Sequence, residues 1–189
     1  MRRLAVLILL AAVGAVAGCG TGYAAAQRDF ADAYLDTAAV RTLADAAAQE
    51  AGEPPITIVD VKVEGSAGEA TVTVSAEVGS VCDAWNAAGR AAQFGALVTP
   101  GLMANQDVGA VVIDFAHEAR VVVCTYTRAD ADLVDWSGLR GSIDDDASGW
   151  SEYFTAASAY SWNMSVWHEV TDRRYPDSAS AQSMPGSKP

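Results

Sequence analysis

The runs Ile56-Thr-Ile-Val-Asp-Val-Lys-Val-Glu64 and Glu69-Ala-Thr-Val-Thr-Val-Ser-Ala-Glu77, held apart by Gly65-Ser-Ala-Gly68, decide the fold class. In the second run Val72, Val74 and Ala76 alternate with Thr71, Thr73 and Ser75, so an extended chain has one apolar side and one wet side. Two β-rich runs joined by four residues, two of them glycine, predict a hairpin. Upstream, Gln27 to Ala51 is rich in alanine, with Phe30, Tyr34, Leu35, Val40 and Leu43 at three- and four-residue spacing, and Gly52-Glu53-Pro54-Pro55 stops it. That pattern predicts a helix. Downstream, Ser80 offers a cap for a second helix from about Cys82 to Leu97, with Thr99-Pro100-Gly101 as its stop. A second hairpin is predicted over Val108 to Phe115 and Arg120 to Thr127, around Ala116-His-Glu-Ala119. The order helix-strand-strand, used twice, predicts an α+β domain: a four-stranded antiparallel sheet with helices on one face.

Beyond the second hairpin the chain turns aromatic. Trp136, Trp150, Tyr153, Phe154, Tyr160, Trp162 and Trp167 lie within 32 residues. Tyr153, Ala157, Tyr160, Met164 and Trp167 recur at helical steps, while Tyr160 to Val166 alternates as a strand does, so the pattern leaves both states open. Large rings here have two uses. They pack on the sheet, or Trp150, Tyr153, Phe154, Tyr160, Trp162 and Trp167 line a cleft for a sugar, an apolar ligand or a partner. From Asp172 to Pro189 the residues are mostly Ser, Pro, Ala, Gln and Gly, which predicts a disordered tail after a single globular domain over 27–171.

The 189 residues are 51% hydrophobic, enough for one core, and carry 24 acidic against 12 basic side chains for a net charge of −12. A surface for nucleic acid or for electrostatic docking on anionic lipid needs Lys and Arg, so neither is expected. The N-terminus gives the most specific signal. Met1-Arg2-Arg3 is basic, Leu4 to Ala17 is a nearly unbroken apolar run, and the run closes on Val16-Ala17-Gly18-Cys19. These residues resemble the lipobox signal peptide of bacterial lipoproteins, with Val16 in place of the commoner Leu. The resemblance implies a signal peptide over 1–18, diacylglyceryl on Cys19 and a domain tethered to the extracytoplasmic face of the cell membrane, and the small residues from Gly20 to Ala26 predict a short flexible stalk between lipid and domain. Two acyl chains on one cysteine suffice for stable anchoring.

Two other readings of the same residues stand beside it. One is an uncleaved anchor helix, although about fourteen apolar residues rise only ~21 Å against a ~30 Å hydrocarbon layer. The other is an ordinary signal peptide cut elsewhere. Removal of 1–18 would leave ten basic and 24 acidic residues, a net −14 that repels anionic head groups.

Export would leave Cys82 and Cys124 as an even pair where disulfides persist, and the expectation is a structural bridge between them. Two free buried thiols are the alternative, since neither cysteine sits in a Cys-x-x-Cys motif. Asp144, Asp146, Ser148 and Glu152 are spaced like the start of an EF-hand loop, but position 12 is Thr155 where the family has a bidentate Glu, so no metal is predicted. No cofactor is expected either, because no phosphate-cradling glycine loop, Gly-x-Ser-x-Gly elbow or His-Glu-x-x-His is present. His168 beside Glu169 makes a weak general-base candidate, since neighbours on a regular element point apart. The sequence therefore predicts a lipid-anchored, non-catalytic envelope domain that binds a protein or wall component. A ligand carrier using the aromatic segment is the alternative, and a hydrolase comes third.

Overall fold

The computed structural model describes residues 21–79, 84–145, 147–162 and 187–188. Cys19, Cys82, Asp146, Trp167, His168 and the stretch 1–18 expected as a signal peptide lie outside these residues. The elements run α1 (Thr21–Ala31), α2 (Thr37–Glu50), β1 (Ile56–Glu64), β2 (Ala70–Val78), α3 (Ala84–Met103), β3 (Val108–His117) and β4 (Ala119–Thr127). They continue with α4 (Arg128–Ala131), α5 (Trp136–Asp145), α6 (Ala147–Ala156), β5 (Ala159–Trp162) and β6 (Ser187–Lys188). The sheet order follows the chain, β1-β2-β3-β4-β5-β6.

The α+β class stands, but among the described residues the sheet is mixed and has six strands, not four antiparallel ones: β2 and β3 run parallel. The reason is the length of α3. Its 20 residues rise ~30 Å, about the length of a nine-residue strand, so the helix returns the chain to the end where β2 began. Hairpins with local turns are antiparallel as expected, with partners Val63 to Val72 and Ile113 to Cys124. Glu118, at φ 55°, makes the second turn a single left-handed residue.

Four further expectations are corrected. The predicted helix over 27–51 is two helices, broken where Asp36 Oδ1 accepts the Ala39 N–H at 2.8 Å and so caps α2. The buried Asn105 side chain closes α1 by donating to Phe30 O at 3.0 Å and Ala33 O at 2.9 Å. The residues expected as stalk are also helical from Thr21, and Tyr23 is buried with its hydroxyl donating to Leu97 O. The packed domain thus begins at α1 and not at Gln27. Finally, α3 runs through Pro100 to Met103. Proline withholds the N–H that would bond Ala96 O. At the far end of the chain, Ser187 and Lys188 pair with β5, so the tail is not wholly free of regular structure.

The aromatic segment resolves its own ambiguity by being both states: α6 through Ala156, then β5 from Ala159. Ile58, Val61, Val72, Val74, Ala76, Val111, Ile113, Phe115, Val122, Cys124 and Tyr126 line one face of the sheet and join the helices in a single core. Leu43 and Ala47 of α2, Phe94 and Val98 of α3, and Tyr153 of α6 are buried in that core. No helix of the described residues is long and apolar enough to cross a membrane.

Candidate functional site

Five of the six candidate ligand aromatics lie in the core. Trp150, Tyr153, Phe154, Tyr160 and Trp162 are all buried, Tyr153 completely. Phe154 meets Trp162 edge-on at 4.6 Å and Tyr153 at 4.9 Å, and Tyr126 sits 5.3 Å from Tyr153. Rings at these separations stabilise one another and leave no face for a ligand. The Tyr126 hydroxyl donates to Tyr153 O, and Cys124 Sγ shares a hydrogen bond with Tyr153 Oη at 3.3 Å. Cys124 has no disulfide partner among the described residues.

That buried polar cluster makes stability sensitive to alkali. Burial pushes the Cys124 thiol from 9.0 up to about 12, and pushes Tyr126 and Tyr153 well above 10.0. Tyr23 is driven to about 12 chiefly by burial, with Arg140 opposing the shift. A group with a raised folded-state value contributes stability that is complete below its unfolded value and is lost as pH climbs through the folded one. The urea midpoint should therefore hold level up to the thiol's 9.0 and then fall towards pH 12. Cys124→Ala should move the onset to the tyrosines' 10.0, and so should oxidation of the thiol into a disulfide. A midpoint unchanged at pH 11 would overturn this assignment.

Of the acidic segment, Asp146 lies outside the described residues. Residues 147–156 are helical, so the backbone winds through Gly149, the position at which an EF-hand loop makes its sharp turn. Among the described residues no three His, Cys, Asp or Glu side chains are grouped to hold a metal.

Two surfaces bear on function among the described residues, beside a wider hollow of about 510 Å³ between α2 and β1 whose lining includes Arg41, Asp45, Gln49, Glu53 and Thr57. The first is the sheet face opposite the helices, where Thr73, Ser75, Val112, Asp114, Val123 and Thr125 from β2, β3 and β4 stand side by side and half-buried. The alternation in β2 made this face legible in the sequence. The second is a groove over α3, between α1 and α5, with a volume of about 380 Å³. Tyr23 and Gln27 form one wall, Trp136, Ser137 and Arg140 the other, and Ala96 and Pro100 the floor. A smaller cavity of about 180 Å³ adjoins it, sharing Ala96 and Arg140 and reaching Glu50. The sequence reading missed this groove, although Tyr23 with Gln27 and Trp136 with Arg140 each repeat at four residues, the signal for one helical face. Comparison with protein-family models, curated proteins and solved structures yields no match.

Proposed function

We propose that this chain is a lipid-anchored envelope protein, tethered through Cys19 on the extracytoplasmic face of the membrane, whose domain binds another protein or wall component without catalysing a reaction. The observation that supports the binding half is the half-buried sheet face of Thr73, Ser75, Val112, Asp114, Val123 and Thr125, a surface of hydroxyls and small apolar groups around one carboxylate. Such a face offers area and hydrogen bonds together, which suits a partner surface better than a small molecule. The anchoring half rests on Arg2, Arg3, the apolar run and Val16-Ala17-Gly18-Cys19. A disulfide between Cys82 and Cys124 belongs to the same reading, because it needs an oxidising compartment. The carrier alternative is weakened by the burial of Trp150, Phe154 and Trp162.

Cys19→Ala should abolish incorporation of radioactive fatty acid and move the protein out of the membrane fraction. Persistent label with unchanged membrane retention would reject the anchor. For the binding half, Thr73→Arg places a long cation in the middle of the open face and should weaken partner capture from envelope extract at least about tenfold. Equal capture by the variant and the wild type would reject the sheet face as the binding surface.

A further inference from the structure

We infer that the cavity between α2, α3 and α5 binds a zwitterion, a free amino acid with an aliphatic side chain, whose carboxylate meets Arg140 and whose ammonium meets Glu50. The inference rests on neither the anchor nor the sheet face and adds a small-molecule site to the domain. The first step is the placing of charge. Glu50 at the end of α2 and Arg140 of α5 line the same cavity of about 180 Å³, over Gln93, Ala96 and Leu97 of α3. Both residues are exposed, and among the described residues neither side chain makes an ion pair or a hydrogen bond. Two side chains of opposite sign that face one hollow without joining offer a cation site and an anion site side by side. The guanidinium is a planar fork that takes both oxygens of a carboxylate.

The surroundings agree with that assignment. Arg90 is buried behind Gln93 Oε1 at 2.7 Å and held on Ala51 O, Gly52 O and Pro54 O, so it adds positive potential in favour of a carboxylate without lining the cavity itself. The acidic residues near by, Asp29 and Asp135, line neither the cavity nor the groove that adjoins it, and Asp135 is engaged with the Gly138 N–H at 3.1 Å. The second step is size. At ~30 Å³ per water the cavity has room for about six waters, the bulk of one amino acid and too little for a sugar chain or a nucleotide. The side chain has the groove of about 380 Å³ next to it, which shares Ala96 and Arg140. Beside Gln27 and Ser137, the polar groups of that groove's rings are already used: the Tyr23 hydroxyl donates to Leu97 O, and the Trp136 N–H donates to Ala131 O at 3.0 Å. With Ala96 and Pro100 the two rings present chiefly carbon, which suits an aliphatic chain.

The test is calorimetric titration of the full chain with three probes: L-leucine, leucinamide, which lacks the carboxylate, and N-acetyl-leucine, which lacks the ammonium. Leucine should bind, and each derivative should bind at least about tenfold more weakly, the effect of removing one charged hydrogen-bond partner. Arg140→Met should weaken leucine and cancel its advantage over leucinamide. Glu50→Gln should cancel the advantage over N-acetyl-leucine and keep that over leucinamide. Both positions are exposed, so the two variants should retain the wild-type urea midpoint, and the binding change then reports the site and not the fold. Equal binding of the three probes, leucine affinity unchanged in both variants, or no heat from leucine at about 10 mM would overturn the site. Cys19 and the sheet face take no part in this titration, so its failure leaves the proposed function standing.

Discussion

Gly95→Ala should cost the domain about 3 kcal/mol or more, enough to leave much of it unfolded. Gly95 lies inside α3, where an alanine would ordinarily stabilise the helix by ~1 kcal/mol. Here the sign reverses. A Cβ on Gly95 would overlap Tyr153 Oη and Cζ, far inside van der Waals contact. The ring has no room to retreat, because it is fully buried, packed on Tyr126 at 5.3 Å and on Phe154 at 4.9 Å, and bonded to Cys124 through its hydroxyl. Either α6 lifts from α3 or the ring leaves its site, and both open the core. Urea denaturation measures the loss, and a Gly95→Ala protein within about 1 kcal/mol of the wild type would refute the packing described. Pairing the change with Tyr153→Leu should recover part of the loss, because the shorter side chain vacates the contested space. Tyr153→Phe should not, since the ring carbon still clashes.

Gly95 also shows why parts of the fold were legible in the sequence and parts were not. The two hairpins were readable because their signal is local: alternation in Thr71 to Ala76 and tight turns at Gly65 to Gly68 and at Glu118. The break between α1 and α2 was readable in principle, since Asp36 is a good cap, but the apolar spacing from Phe30 to Leu43 runs straight across it. The parallel pairing of β2 with β3 depends on how far α3 travels, and Pro100 concealed that length by resembling a stop. The helix survives its proline because tertiary packing buries Leu97, Val98 and Leu102 on either side. The groove was the least visible feature. Its walls come from residues more than a hundred positions apart, and only the docking of Tyr23 on α3 brings them together. What Gly95 accommodates is likewise a residue 58 positions away, so in the sequence it reads as one more small residue in an alanine-rich helix.

Arg90→Met should destabilise the domain by about 3 kcal/mol, the upper end of the range expected when a donor is removed and its neutral acceptors stay behind. Arg90 sits on α3 with its side chain buried, and its guanidinium gathers the carbonyls of the turn between α2 and β1. Nη1 donates to Ala51 O at 2.5 Å and to Gln93 Oε1 at 2.7 Å, while Nη2 donates to Gly52 O at 2.7 Å and to Pro54 O at 2.8 Å. A helix C-terminus leaves its last carbonyls without N–H partners and carries the negative end of the helix dipole, so a cation there offsets both deficits. Methionine fills similar volume but donates nothing, and the turn then either floods with water or keeps its carbonyls unpaired. Lysine is the informative comparison: its ammonium is a single point and cannot span three carbonyls as the planar fork does, so Arg90→Lys should fall between wild type and Arg90→Met. Hydrogen exchange separates this role from mere loss of packing. In Arg90→Lys the amides of residues 51–58 should exchange faster while those of β3 and β4 keep their protection, because the lesion is confined to the turn that Arg90 holds. Uniform acceleration across the sheet, or an Arg90→Met protein as stable as the wild type, would show that the turn is held by something other than this arginine.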